Sequence, residues 1–355
     1  MSKENTDTLV RKQLIWWLIS GCLLIALMVL IGGITRLTHS GLSMVTWKPV
    51  TGIVPPLNEQ QWQAEFLKYQ ETPEYIKKNY HFTLTEFKEI FFWEYLHRLI
   101  GRIIGIVFLI PFLYFLITKK IKDRQLLRNL ILMFLLGGLQ GLVGWYMVKS
   151  GLVDNPNVSH LRLATHLMTA LLLFSFIFWN VLKLRFPQKE LKTNITTKIY
   201  KFSLVLLVLT VLQIIYGAFM AGLKAGKMYP TYPKMGAEWF PSIISEHLSS
   251  QGISALYNDP YTIQFTHRWL AVLVLFSTLY LAYLSKNHFL GYRQKNAIKW
   301  LVLAISIQFL LGVFTILNSV PVVLGVLHQF GGFLFLTALL ATIYFFRNTD
   351  EQLIA

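Results

Sequence analysis

Residues 91–105, FFWEYLHRLIGRIIG, place Glu94, His97, Arg98 and Arg102 at the start of an otherwise apolar helix. Glu94 and His97 are three apart and Glu94 and Arg98 four apart, so all three share one broad helix face. Gly101 and Gly105 follow His97 at four and eight residues, which leaves a groove beneath the imidazole. Ionisable groups are rare in long apolar segments and usually face a bundle interior or a cavity. A Glu94–Arg98 pair at a membrane surface with a bystander histidine is the plain alternative. The rest of the chain argues against it by repeating the pattern.

The 355 residues are 54% hydrophobic and only 14% charged, the composition of a polytopic membrane protein. A net charge of +16 would point a soluble chain toward nucleic acid. Here the basic residues fall in short loops between apolar runs, which excludes a nucleic-acid partner and points to membrane orientation. Cys22 is the single cysteine, so neither an intrachain disulfide nor a multi-cysteine metal site can form. The N-terminal segment has neither transit-peptide character nor a cleavage signal, and a bacterial cytoplasmic membrane is the expected home.

Eight runs are long enough to cross the bilayer, near 13–34, 93–118, 127–148, 160–183, 199–222, 263–285, 297–319 and 322–346. Lysines and arginines crowd the loops after the second, fourth and sixth runs, whereas KSGLVDNPNVS and NSVP after the third and seventh hold one lysine between them. The positive-inside rule therefore places both termini in the cytoplasm. Two long outer segments remain, 35–92 and 223–262, and the aromatic residues of the first predict helices lying on the outer surface.

An internal repeat is visible. EYLHRLIG (94–101) matches QFTHRWLA (264–271), LQGLVGWY (139–146) matches IQFLLGVF (307–314), and LATHLMTALLLF (163–174) matches GVLHQFGGFLFL (325–336). Four spans per unit make the repeats parallel. The expected fold is an all-α membrane protein of two four-helix bundles, residues 1–190 and 191–355.

The repeat aligns His97 with His267 and His166 with His328. Each is expected within the first two turns of a helix running inward, and each has a small residue four places on: Gly101, Ala170, Ala271 and Gly332. A tetrahedral metal has no use for that clearance, whereas a porphyrin stacked below its axial ligand needs it. A lone histidine is more often a satisfied core residue, but four at matching depth with the same small neighbour are not. The reading is two haem sites, each with iron between two axial histidines. Arg36, Arg98, Arg162 and Arg268 at the outer helix ends are candidates for propionate contacts. The repeat breaks at one point, where Glu94 becomes Gln264. A carboxylate beside one haem and a neutral amide beside the other suggest that one haem is substrate and the other a resident cofactor.

The chain resembles the haem A synthase family, in the branch without a cysteine pair in the first outer loop. The resemblance rests on GGITRLTHSGLSMVTWKP (32–49), FKEIFFWEYLHRLIGR (87–102), LATHL, THRW and the eighth-span histidine, and covers nearly the whole chain. One departure is His39, where members more often carry an acidic residue. The resemblance implies oxidation of the C8 methyl group of haem O to a formyl group, giving haem A for terminal oxidases. It implies a resident haem b on His267 and His328, substrate haem on His97 and His166, and Glu94 as the catalytic carboxylate. Membrane lipid, a haem O synthase and an electron-transfer partner are the implied surroundings, with a homo-oligomer compatible. The competing readings are a two-haem cytochrome that only relays electrons, which leaves the Glu94–Gln264 difference unused, and a repeat-built transporter. Transporters commonly break helices at mid-membrane, whereas the polar groups here gather at helix ends.

Overall fold

The computed structural model of the chain describes residues 3–47, 51–153, 156–187 and 194–347. Among them the elements are helical: α1 Lys3–Leu37, α2 Glu59–Gln70, α3 Leu84–Ile117, α4 Arg124–Lys149, α5 His160–Arg185, α6 Asn194–Gly222, α7 Ser242–Gln251, α8 Ala255–Asn258, α9 Pro260–Ser285, α10 Tyr292–Leu317 and α11 Val322–Phe346. Eight of these, α1, α3–α6 and α9–α11, are long and apolar enough to cross a membrane. The only strand-like pairing among the described residues is an isolated bridge between Met235 and Glu238. Helices dominate because a backbone in lipid must satisfy its own polar groups.

The chain divides into two compact units, 1–178 and 179–355. In the first, α1 runs along α3, and α3 meets α4. Pro111 sits inside α3 and removes the amide that would bond the carbonyl of Val107. That carbonyl accepts instead from the Trp17 indole of α1 at 2.9 Å, so it is not left unpaired in the apolar layer. In the second unit α6, α9, α10 and α11 close a ring, α6 on α9, α9 on α10, α10 on α11 and α11 on α6. Its core includes Leu206, Leu281, Leu301 and Leu339, none of them solvent-accessible.

The helix carrying His97 starts earlier than the hydropathy pattern implies. Thr83 and Glu86 form a capping box, with Thr83 N–H donating to Glu86 at 2.7 Å, and the helix begins at Leu84. This first stretch of α3 buries Phe87, Ile90 and Phe91 against Phe66 and Tyr69 of α2, forming a small aromatic core in segment 35–92. His97 therefore lies nearly four turns into its helix rather than within two, a correction that leaves His166, His267 and His328 near their helix starts.

Each unit also places the same kind of turn after its first helix. His39 follows α1 and Lys224 follows α6, both with φ of 56°. At the same offset, Gly41 matches Gly226 and Thr46 matches Thr231. The segments 37–47 and 222–232 are structural counterparts.

Candidate functional site

Each of the four histidines sits on a glycine of the preceding membrane-spanning helix. A Cβ placed on Gly32 of α1 would lie 3.2 Å from Cε1 of His97, and one on Gly217 of α6 would lie 3.3 Å from Cε1 of His267. The corresponding distances are 2.9 Å from Gly144 of α4 to His166 and 2.8 Å from Gly312 of α10 to His328. Real Cβ contacts are essentially never that close in the last two pairs, so only glycine permits these rings to stand where they do. The glycines expected beneath the imidazoles have other neighbours or none. Gly101 faces the Met28 side chain, Gly332 faces Gln308, and Gly105 opens onto empty space.

Glutamines accompany the rings. Gln140 approaches His166 Nδ1 at 3.1 Å, donates to the His166 carbonyl at 2.9 Å and accepts from Thr169 at 2.5 Å. Gln213 approaches Nε2 of His267 at 3.3 Å. The Nδ1 atoms of His97, His267 and His328 are buried with no hydrogen-bond partner among the described residues. A buried polar atom left in this way is costly, and it is expected of a side chain held for a ligand rather than for the fold. His267 and His328 face one another with ring centroids 6.4 Å apart and planes at 83°. Two imidazoles on opposite sides of one metal, with metal–nitrogen bonds of about 2 Å, have ring centres roughly 6 Å apart. The pair is thus spaced for one shared iron. Among the described residues no three His, Cys, Asp or Glu side chains converge. This donor set fits haem, whose iron takes its remaining two ligands from the protein.

One turn before each first histidine, a side chain fastens the loop that follows the unit's first helix. Glu94 is 3% exposed. Its Oε2 accepts from the Ser43 hydroxyl and the Met44 amide, each at 2.8 Å, and its Oε1 accepts from Arg98 at 2.5 Å. Arg98 also donates to the carbonyls of Met44 at 2.9 Å and Thr46 at 3.2 Å. In the second unit, Gln264 accepts from the Tyr229 amide at 3.2 Å and donates to the Tyr229 carbonyl at 3.1 Å. Arg268 donates to the carbonyls of Tyr229 at 2.5 Å and Thr231 at 2.7 Å. The same clip is built twice, once around a carboxylate and once around an amide. Arg98 and Arg268 spend their guanidinium groups on loop carbonyls. Arg162 donates to the Tyr146 carbonyl at 2.9 Å and stacks on that ring, and Arg36 feels the charge of Glu74.

The family model described as cytochrome oxidase assembly protein matches residues 15–340. The chain belongs to that family. Curated relatives named haem A synthase include one from Flavobacterium johnsoniae, 44% identical over 349 residues, covering 97% of this chain and 99% of the relative. The haem A synthase of Bradyrhizobium diazoefficiens is 44% identical over 314 residues, 88% of this chain and 86% of the relative. That of Wolbachia pipientis wMel is 40% identical and covers 99% of this chain and 98% of the relative. The match spans all four of these histidines, Glu94 and Gln264.

The sequence pattern found the histidines and Glu94 but missed Gly32, Gly217, Gln213 and the Ser43–Met44 edge of the clip. The signal was the weak match of 37–47 with 222–232, where Gly41 and Thr46 recur as Gly226 and Thr231 among unlike neighbours. His247 ties α7 to the start of α9. It binds Asp259 at 2.8 Å, and Asp259 in turn caps α9 through Thr262.

Proposed function

We infer that the chain is a haem A synthase, oxidising the C8 methyl group of haem O to the formyl group of haem A for terminal oxidases. The observation that carries this reading is its 44% identity, over nearly the full length of both chains, to a protein of that name. His267 and His328 hold a resident haem b, which supplies electron transfer when bound. His97 and His166 hold haem O as substrate. The difference between Glu94 and Gln264 supports that division, because only chemistry on the first haem needs an ionisable group beside it. The conversion takes two successive oxidations of one methyl group and loss of water from a geminal diol. Glu94 takes up a proton at its carboxylate or stabilises positive charge developing near that carbon. Arg98 holds the carboxylate toward the helix end, and the clip it shares with Ser43 and Met44 keeps the loop closed over that end. Arg36, Arg98, Arg162 and Arg268 are the candidate cations for haem propionates, with Arg98 and Arg268 able to exchange loop carbonyls for carboxylates.

The positive-inside pattern supports a bacterial cytoplasmic membrane with both termini inside and both histidine pairs toward the outer face. The two units share one design, as the doubled clip and the four glycine seats support. A cytochrome that only relays electrons gives no reason for the clip to carry a carboxylate in one unit and an amide in the other. Expression in a bacterium that makes haem O but no haem A tests the reading. Haem A should appear among the extracted haems. Haem O alone beside folded, haem-loaded protein would contradict it.

A further inference from the structure

The two clips differ by more than Glu94 and Gln264. An amide both donates and accepts, so Gln264 closes its clip with the backbone of Tyr229 alone. An ionised carboxylate only accepts. It cannot bond the carbonyl of Met44, and one hydrogen bond of the amide clip is lost. The first unit restores a bond from the loop side through the Ser43 hydroxyl, 2.8 Å from Oε2. At the matching place in the second unit stands Met228, which has no such donor. Ser43 is 2% exposed, and its single proton has three acceptors in reach: Glu94 at 2.8 Å, the Ser40 carbonyl at 3.0 Å and the Ile90 carbonyl at 3.4 Å. The nearest is also the charged one, and a charged acceptor makes the stronger bond. Carboxylate and hydroxyl therefore occur together in one unit, and amide and thioether together in the other.

We propose that Ser43 is the positioning residue for Glu94, supplying the donor that lets a buried carboxylate occupy a clip its counterpart closes with an amide. The proposal rests on the reading of Glu94 as the acid–base group of the first unit. Ser43 fixes Oε2 against the loop, so that Arg98 alone holds Oε1 and the carboxylate keeps one orientation toward the His97 side of the helix. The Met44 amide reports on this directly, because it donates to Oε2 and sits beside the hydroxyl.

The test is a double-mutant cycle read by hydrogen exchange at the peptide containing Met44, in full-length protein carrying its resident haem and no haem O. Ser43→Met should speed exchange about tenfold or more, the worth of a hydrogen bond to a charged group. In the Glu94→Gln background the same change should do almost nothing, since the clip then copies that of Tyr229, Gln264 and Met228. Such coupling separates an action through Glu94 from simple packing. Equal acceleration in both backgrounds, or none in either, would overturn the proposal. Haem A formation supplies the second arm. Ser43→Ala should lower the rate about tenfold with haem O still bound, and Ser43→Thr should restore it. Coupled exchange with unchanged haem A formation would leave Ser43 positioning Glu94 and overturn instead the catalytic reading of Glu94.

Discussion

At the scale of single residues, the four glycine seats make the sharpest demands. Gly312→Ala would bring a methyl group to 2.8 Å from Cε1 of His328, and the ring must move to admit it. The expected outcome is weaker retention of the resident haem and an altered haem spectrum, measured as haem per folded chain after purification. Gly21→Ala in α1 is the matched control, with open space around it and a gain of up to about 1 kcal/mol in helix propensity. Equal haem content in both variants would show that Gly312 does not hold the ring in place. Glu94→Gln should still fold, because Gln264 already closes the same clip in the second unit. Haem A formation should nevertheless fall about 10²–10⁴-fold, the usual contribution of a general acid or base. Chromatography of the extracted haems, normalised to folded protein, distinguishes this from a loss of yield. His97, Glu94 and Arg98 were legible in the sequence because polar groups stand out in an apolar helix. Gly32 was not, since one glycine in an apolar run carries no mark of the ring it faces.

At the scale of elements, α3 and α9 each depend on a group that hydropathy cannot reveal. The carbonyl freed by Pro111 relies on the Trp17 indole. Trp17→Phe should keep the α1–α3 packing but strand that carbonyl, lowering stability by about 1–3 kcal/mol. A denaturation midpoint in detergent unchanged from the parent would show that water or lipid satisfies it. Burial on its own would raise the Asp259 carboxyl, but hydrogen bonds from Thr262 and His247 outweigh it and hold the group below the usual carboxylate range. A lowered value in the folded state means stability that is present above the unfolded value of about 3.9 and lost as pH falls through the folded one. The start of α9 should therefore loosen on acidification below about pH 4, seen as faster exchange in residues 255–262. Asp259→Ser keeps a capping oxygen without the charge and should flatten that acid limb. The eight spanning helices were legible because 20 apolar residues in a row have few other uses. The early start of α3 was not, because Thr83, Glu86 and Phe87 act through a cap and the α2 aromatics rather than through hydropathy.

At the scale of the whole molecule, the same clip and the same glycine seats occur in both units. The doubling was legible where helices matched, in EYLHRLIG and QFTHRWLA, and hidden where the loops had diverged around Thr46 and Thr231. Loop identity was lost because the clip bonds backbone atoms, which leave side chains free to change from Met44 to Tyr229. The central claim is that the second unit keeps its haem while the first processes one. Haem analysis of four single variants purified from cells making haem O tests it most directly. His267→Ala and His328→Ala should lose haem b and with it stability, because a ligand bound only by the folded state stabilises that state. His97→Ala and His166→Ala should keep haem b and lose haem O and haem A. Haem b retained in full by both second-unit variants, or lost from the first-unit pair instead, would contradict the account.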